Sequence, residues 1–181
     1  MIHSPTKSAL SCLFSLGALL AWPAQVQAKV PLSVDVNYAN PLFVEDATHG
    51  WGGQLRFGPR LDLKILTLDS EIVAGGVAFY DAYGDPAAQS YHGLLGPRLG
   101  ILWGLRPSIF SHLGVGHTNF VTANSQTSLA GDLGLALDIT FLPAIDIGGQ
   151  AAWNFVTGDA SSPQTQYHTA GLHITFFAKD D

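Results

Sequence analysis

Seven histidines and a scatter of hydroxyls are the residues from which this chain could build chemistry. A nucleophilic hydroxyl needs a histidine within hydrogen-bond reach and a third group to orient the ring. Ser111 and His112 are neighbours, as are His117 and Thr118. On a strand each pair would face opposite sides, so neither makes a nucleophile–base couple. His173 and Thr175 do share a face. His49, His92, His117 and His168 could offer imidazoles to zinc or copper. The alternation described below puts His92 on one face and the other three on the opposite face, so they do not converge. No CxxC, Walker or GxGxxG signature stands in a usable context. The reading is therefore of no catalytic residues, no metal and no cofactor.

The charged residues raise a second question. "GPRLD" runs from Gly58 to Asp62 and "GPRLG" from Gly96 to Gly100. Each sets an arginine beside a proline inside apolar sequence. A buried arginine needs a partner, so the segments that carry the phrase must bring partners to it.

The chain has 181 residues, of which only 12% are charged and 20 are glycine, with a mean hydropathy of +0.23. The start reads as a secretory signal peptide over residues 1–28. Lys7 is followed by an apolar stretch from Ala9 to Trp22, and Val26-Gln27-Ala28 supplies the small-residue cleavage site. Cys12 is the only cysteine and falls within it. Residues 29–181 then form one domain without thiol chemistry. No later run reaches the ~20 apolar residues of a spanning helix. The formal net charge of −6 argues against nucleic-acid binding.

Period-2 alternation recurs along this domain. It is seen in Leu32–Tyr38, Trp51–Leu63, Leu66–Tyr80, Tyr91–Ile101, Leu105–Val115, Asp132–Phe141, Ile145–Phe155 and Gly171–Phe176. The connections alternate too. Ala39–His49, Asp81–Ser90, Asn119–Thr127 and Thr157–Gln166 are long. Lys64-Ile65, Trp103-Gly104 and Leu142-Pro143-Ala144 are tight. Strands of about ten residues joined in this manner predict an all-β, eight-stranded antiparallel up-and-down transmembrane β-barrel with its long loops outside the cell. Tyr38, Trp51, Tyr80, Tyr91 and Trp153 fall near the long-loop ends, and Trp103, Phe141 and Phe176 near the other, as interfacial aromatics do. A soluble lipocalin-type barrel, suggested by Gly50-Trp51, would carry its polar face outside, the reverse of this pattern.

On this register Asp35, Arg56, Arg60, Asp62, Asp69, Glu71, Arg98, Arg106, Asp132, Asp138 and Asp146 point inward, with His112 and His173. An eight-stranded barrel is filled by its own side chains, so these charges are expected to pair into a plug that closes the lumen. Val73, Val77, Phe79, Leu94 and Phe110 also fall inward. The favoured expectation is a bulge at Gly75-Gly76 that flips the register, and the other reading is an apolar outer lumen. Pro59 and Pro97 remove ladder hydrogen bonds, and a bulge beside each glycine is expected to absorb them.

The pattern resembles the small eight-stranded outer-membrane barrels of Gram-negative bacteria, the OmpA, OmpX and OprF-like domains. Its most specific piece is Thr169 to Phe176, similar to the terminal signal read by the barrel assembly machinery through Gly171, Ile174 and Phe176. Here Phe177-Ala178-Lys179-Asp180-Asp181 follows, where many such proteins end on the aromatic. The resemblance implies residence in the cell outer membrane as a monomer, with outer-membrane lipids and the assembly machinery as partners. It implies a structural, adhesive or loop-mediated role. A narrow, porin-like channel or a carrier of small hydrophobic ligands is the alternative. A third is a lipid A-modifying enzyme, but no deacylase-like His-x-Ser is present, and His173 and Thr175 lie too deep for an acyl chain.

Overall fold

The computed structural model describes residues 27–44, 46–121, 124–140, 144–158 and 164–177. Most of the predicted signal segment with Cys12, Phe141, Leu142-Pro143, Ser161-Ser162-Pro163 and the tail from Ala178 lie outside the described residues. The strands are β1 (Gln27–Lys29), β2 (Pro31–Phe43), β3 (His49–Phe57), β4 (Arg60–Leu63) and β5 (Leu66–Tyr80). They continue as β6 (Pro86–Ile101), β7 (Leu105–Phe120), β8 (Gln126–Ile139), β9 (Ile145–Val156) and β10 (Thr165–Phe177). β1 and β2 run on as one stave of the barrel, and so do β3 and β4, because their pairings share one register. That makes eight staves, each antiparallel to its neighbours, and β10 pairs back onto β2 to close the ring.

The stagger of the closure can be read from one row of pairs. It leaves β10 at Phe176 and passes Leu32, Phe57, Ile72, Leu95, Leu113, Gly131 and Phe155. It returns to β10 at Gln166, ten residues away. A sheet with that stagger must tilt its strands roughly 35–45° from the barrel axis.

Polarity is inverted relative to a soluble barrel. Along β7, Leu105, Ile109, Leu113 and Val115 are exposed while Arg106, Ser108, Phe110 and His112 are buried. Leu135 is 63% exposed and Leu172 73%. A contiguous apolar exterior of this extent is far larger than the few hundred Å² a soluble monomer shows. Tyr38 and Trp51, directly paired across β2 and β3, meet edge to face at 5.3 Å on this surface. Trp153, Tyr91, Trp103 and Phe176 are also exposed on it.

Three expectations are corrected. No bulge sits at Gly75-Gly76: β5 keeps one register against β3 and β6 through both glycines, so Val77 and Phe79 stay inside. No bulge accompanies Pro59 or Pro97 either. The ladder skips two residues, from Phe57 to Arg60 and, on the β7 side of β6, from Leu95 to Arg98, and resumes in the same register. A gap of that length removes proline's missing donor from the ladder without turning Arg60 or Arg98 outward. The long connections are also shorter than expected, spanning 44–48, 81–85, 121–125 and 157–164. The strands project further because inward Ser90, Gln126 and Thr165 continue the alternation through residues that read as loop.

Candidate functional site

The lumen is where the chemistry-bearing side chains collect. Asp35, Asp69, Glu71, Asp132, Asp138 and Asp146 are all buried there, facing four buried arginines, Arg56, Arg60, Arg98 and Arg106. The repeated phrase finds its partners at once. Asp69 on β5 is directly paired with Arg60 on one side and Arg98 on the other. The two Gly-Pro-Arg segments therefore bracket one acidic stretch. Gly58 and Gly96 flank the level of Glu71, where they let the neighbouring backbones close in.

Each arginine is held by a defined set. Arg56 donates bidentately to Asp35 at 2.8 and 2.9 Å and reaches Glu71 at 3.2 Å. Arg60 donates to Asp69 at 2.8 Å and Asp146 at 3.3 Å. Arg98 donates to Ser108 at 2.8 Å and Asp138 at 2.7 Å. Arg106 donates to Asp138 at 2.5 Å and Asp69 at 3.2 Å. Two histidines extend the net. His112 lies with Nδ1 2.7 Å from Asp132 and Nε2 3.1 Å from Glu71. His173 Nε2 is 2.5 Å from Asp138. Asp138 is the hub, touching two guanidiniums and a ring. Charge-assisted bonds of this kind are the strong ones.

Asp62 stands apart from the residues it was grouped with. It lies at the short-turn end, partly exposed, 3.4 Å from Lys29. Its stave ends there, so solvent reaches the pair. The assembly-signal residues also separate. Ile174 and Phe176 face outward, whereas Gly171 sits at the β2–β10 seam, where a Cβ would come within 2.3 Å of the Val36 carbonyl.

Both ends of the charged zone are capped. Toward the outer end, Phe79 meets Tyr167 edge to face at 5.1 Å, packed with Ala39, Val77, Ala88 and Phe120. Val73, Leu94, Ala130 and Val156 form a second cluster. The apolar outer lumen is therefore occupied by the chain's own side chains. At the other end Phe177 turns in, with the Arg60 guanidinium 4.7 Å from its ring centroid and Lys29 at 5.8 Å. The extra aromatic after Phe176 thus acts as a floor. Phe177→Ala is expected to lower unfolding stability by about 1–2 kcal/mol, the scale of a desolvated cation–π contact. Urea titration in lipid vesicles would measure it.

The four rim histidines are not brought together. His92 is inside the barrel, His168 is exposed outside, and His49 stacks on Tyr80 at 5.6 Å. His117 Nδ1 lies 2.7 Å from Thr127 Oγ1 and its Nε2 3.0 Å from Asn119 Oδ1. This last contact was missed by the sequence reading, because Thr127 is carried by the next strand.

No family model and no curated protein matches this sequence. Solved structures do. Neisserial surface protein A is similar at 12% identity, with a TM-score of 0.59 over 83% of this chain and 98% of that one. Ail, the attachment invasion locus protein of Yersinia pestis, is 12% identical with a TM-score of 0.46, over 82% and 97%. The N-terminal β-barrel domain of Pseudomonas aeruginosa OprF is 14% identical with a TM-score of 0.46, over 84% and 100%. At 12% identity the likeness to Neisserial surface protein A is one of fold, that of a closed eight-stranded antiparallel β-barrel.

Proposed function

We propose that this chain is an outer-membrane barrel whose lumen is shut by paired charges and whose role, structural, adhesive or interacting, is carried at its outer rim. The supporting observation is the lumen itself. A water-filled channel needs a continuous polar path. Here arginine–carboxylate pairs fill the inner part and Phe79, Tyr167 and Phe120 pack across the outer part. Filling by the chain's own residues also weighs against a carrier of small hydrophobic ligands. The apolar exterior supports a bilayer as its surroundings.

The test is conductance. Purified protein in planar bilayers is expected to give no single-channel steps. Regular steps from the unaltered chain would overturn the closed-lumen reading in favour of a narrow channel.

A further inference from the structure

We propose that Thr127, His117 and Asn119 form an acyl-transfer site on the outward face of the barrel, acting on ester-linked acyl chains of lipids in the surrounding leaflet. The inference goes beyond the role proposed above and rests on that reading only for the membrane placement.

The geometry carries it. Thr127 and His117 are directly opposed across β8 and β7. Nδ1 of His117 lies 2.7 Å from the Thr127 hydroxyl, and Asn119 Oδ1 lies 3.0 Å from Nε2. With Asn119 Oδ1 accepting, Nε2 carries the hydrogen and Nδ1 is the free base facing Thr127. A hydroxyl, a base and a group that fixes the base's tautomer are the three parts an activated nucleophile requires. All three point outward, near the end of the strands, beside Tyr91, which is paired with His117 and 50% exposed. Tyr91 donates to Gln89 at 2.8 Å, and Gln89 faces Asn119. One row further into the apolar band, Val115 and Leu129 are paired and more than half exposed. A lipid chain lying on them would hold its ester at the level of Thr127. Thr127 and Asn119 are exposed at the rim end of β8 and β7, where water can enter.

The step balances without an added oxidant or reductant. Thr127 Oγ1 bonds to the ester carbonyl carbon as its proton passes to His117 Nδ1. The bond to the alcohol oxygen breaks, and that oxygen takes the proton from His117. Water then attacks the acyl-threonine, again through His117. Fatty acid leaves and the Thr127 hydroxyl is restored. Asn119 is a positioning residue.

The test uses the folded, membrane-reconstituted chain with p-nitrophenyl laurate as probe and a fluorophosphonate as covalent trap. The expected result is hydrolysis together with a phosphonyl adduct on the Thr127 peptide. Thr127→Ala abolishes both and Thr127→Ser retains both. Asn119→Ala lowers kcat about 100-fold with KM unchanged and shifts the pH profile. Because the three side chains lie outside the packed lumen, every variant is expected to keep its heat-dependent shift in electrophoretic mobility. Hydrolysis no faster than Thr127→Ala, or an adduct at any other residue, would overturn the site while a retained shift leaves the membrane reading standing. Loss of that shift in the unaltered chain would instead remove the membrane reading.

Discussion

Asp138→Ala is expected to destabilise the barrel by about 3–5 kcal/mol, the cost of removing one partner from a buried charge pair. The size follows from the hub position. Asp138 has no side-chain exposure and is shared by Arg98, Arg106 and His173. Truncation leaves two guanidiniums short of their nearest carboxylate in a space that cannot admit bulk water. Asp69 and Asp146, at 3.2 and 3.9 Å from Arg106, offset only part of this. Asp62→Ala is the matching control. Its pair with Lys29 is partly exposed, so the loss should stay below about 1 kcal/mol. Urea unfolding of both variants in lipid vesicles gives the comparison. Equal small losses would show that the lumen pairs behave like surface pairs.

Gly58→Ala and Gly96→Ala should have the second large effect, and for a different reason. An added Cβ at Gly58 would sit 1.8 Å from the Ser70 carbonyl, at a φ of +154° that L side chains rarely adopt. At Gly96 it would sit 2.0 Å from the Ser111 carbonyl. Both neighbours are backbone, so a strand rather than a rotamer must move, and the Arg60 and Arg98 pairings move with it. We expect little or no heat-shifting species from either variant on refolding. Gly93→Ala is the contrast: nothing lies within 4 Å of its added carbon. It should be neutral or stabilise by about 0.5–1 kcal/mol through lower chain entropy. Normal refolding of Gly58→Ala would mean that the close strand approach is not required.

These two residue sets show what sequence can and cannot reveal here. The alternation of Leu133, Leu135 and Leu137 with Gly134, Ala136 and Asp138 needs no tertiary information, because a strand's side chains change face at every residue. Barrel class, inward charges and the outward apolar band were therefore legible. Which charges meet was not. Arg60, Asp69 and Arg98 come together because three strands align in one register, and register depends on closure around the whole ring. The same limit hid Thr127 from His117, which the β7–β8 hairpin sets face to face across ten residues of sequence. Phe79 and Val77 misled for another reason. Apolar residues on a polar face suggested a flipped register at Gly75-Gly76. The outer lumen is instead a small apolar core, and the two glycines admit close contact with Gln54 and Tyr91 rather than a bulge. Asp62 shared the parity of the lumen charges but lies too near the strand end to join them.

The most direct measurement is oxygen and nickel-complex accessibility of spin labels at Leu133, Leu135, Ala136 and Leu137 of β8 in a reconstituted bilayer. Labels at Leu133, Leu135 and Leu137 are predicted to collide with oxygen and be shielded from the water-soluble nickel complex, while Ala136 is shielded from both. Nickel access at the three leucine positions, or oxygen access without alternation, would contradict a barrel that turns its apolar face to lipid and its charges inward.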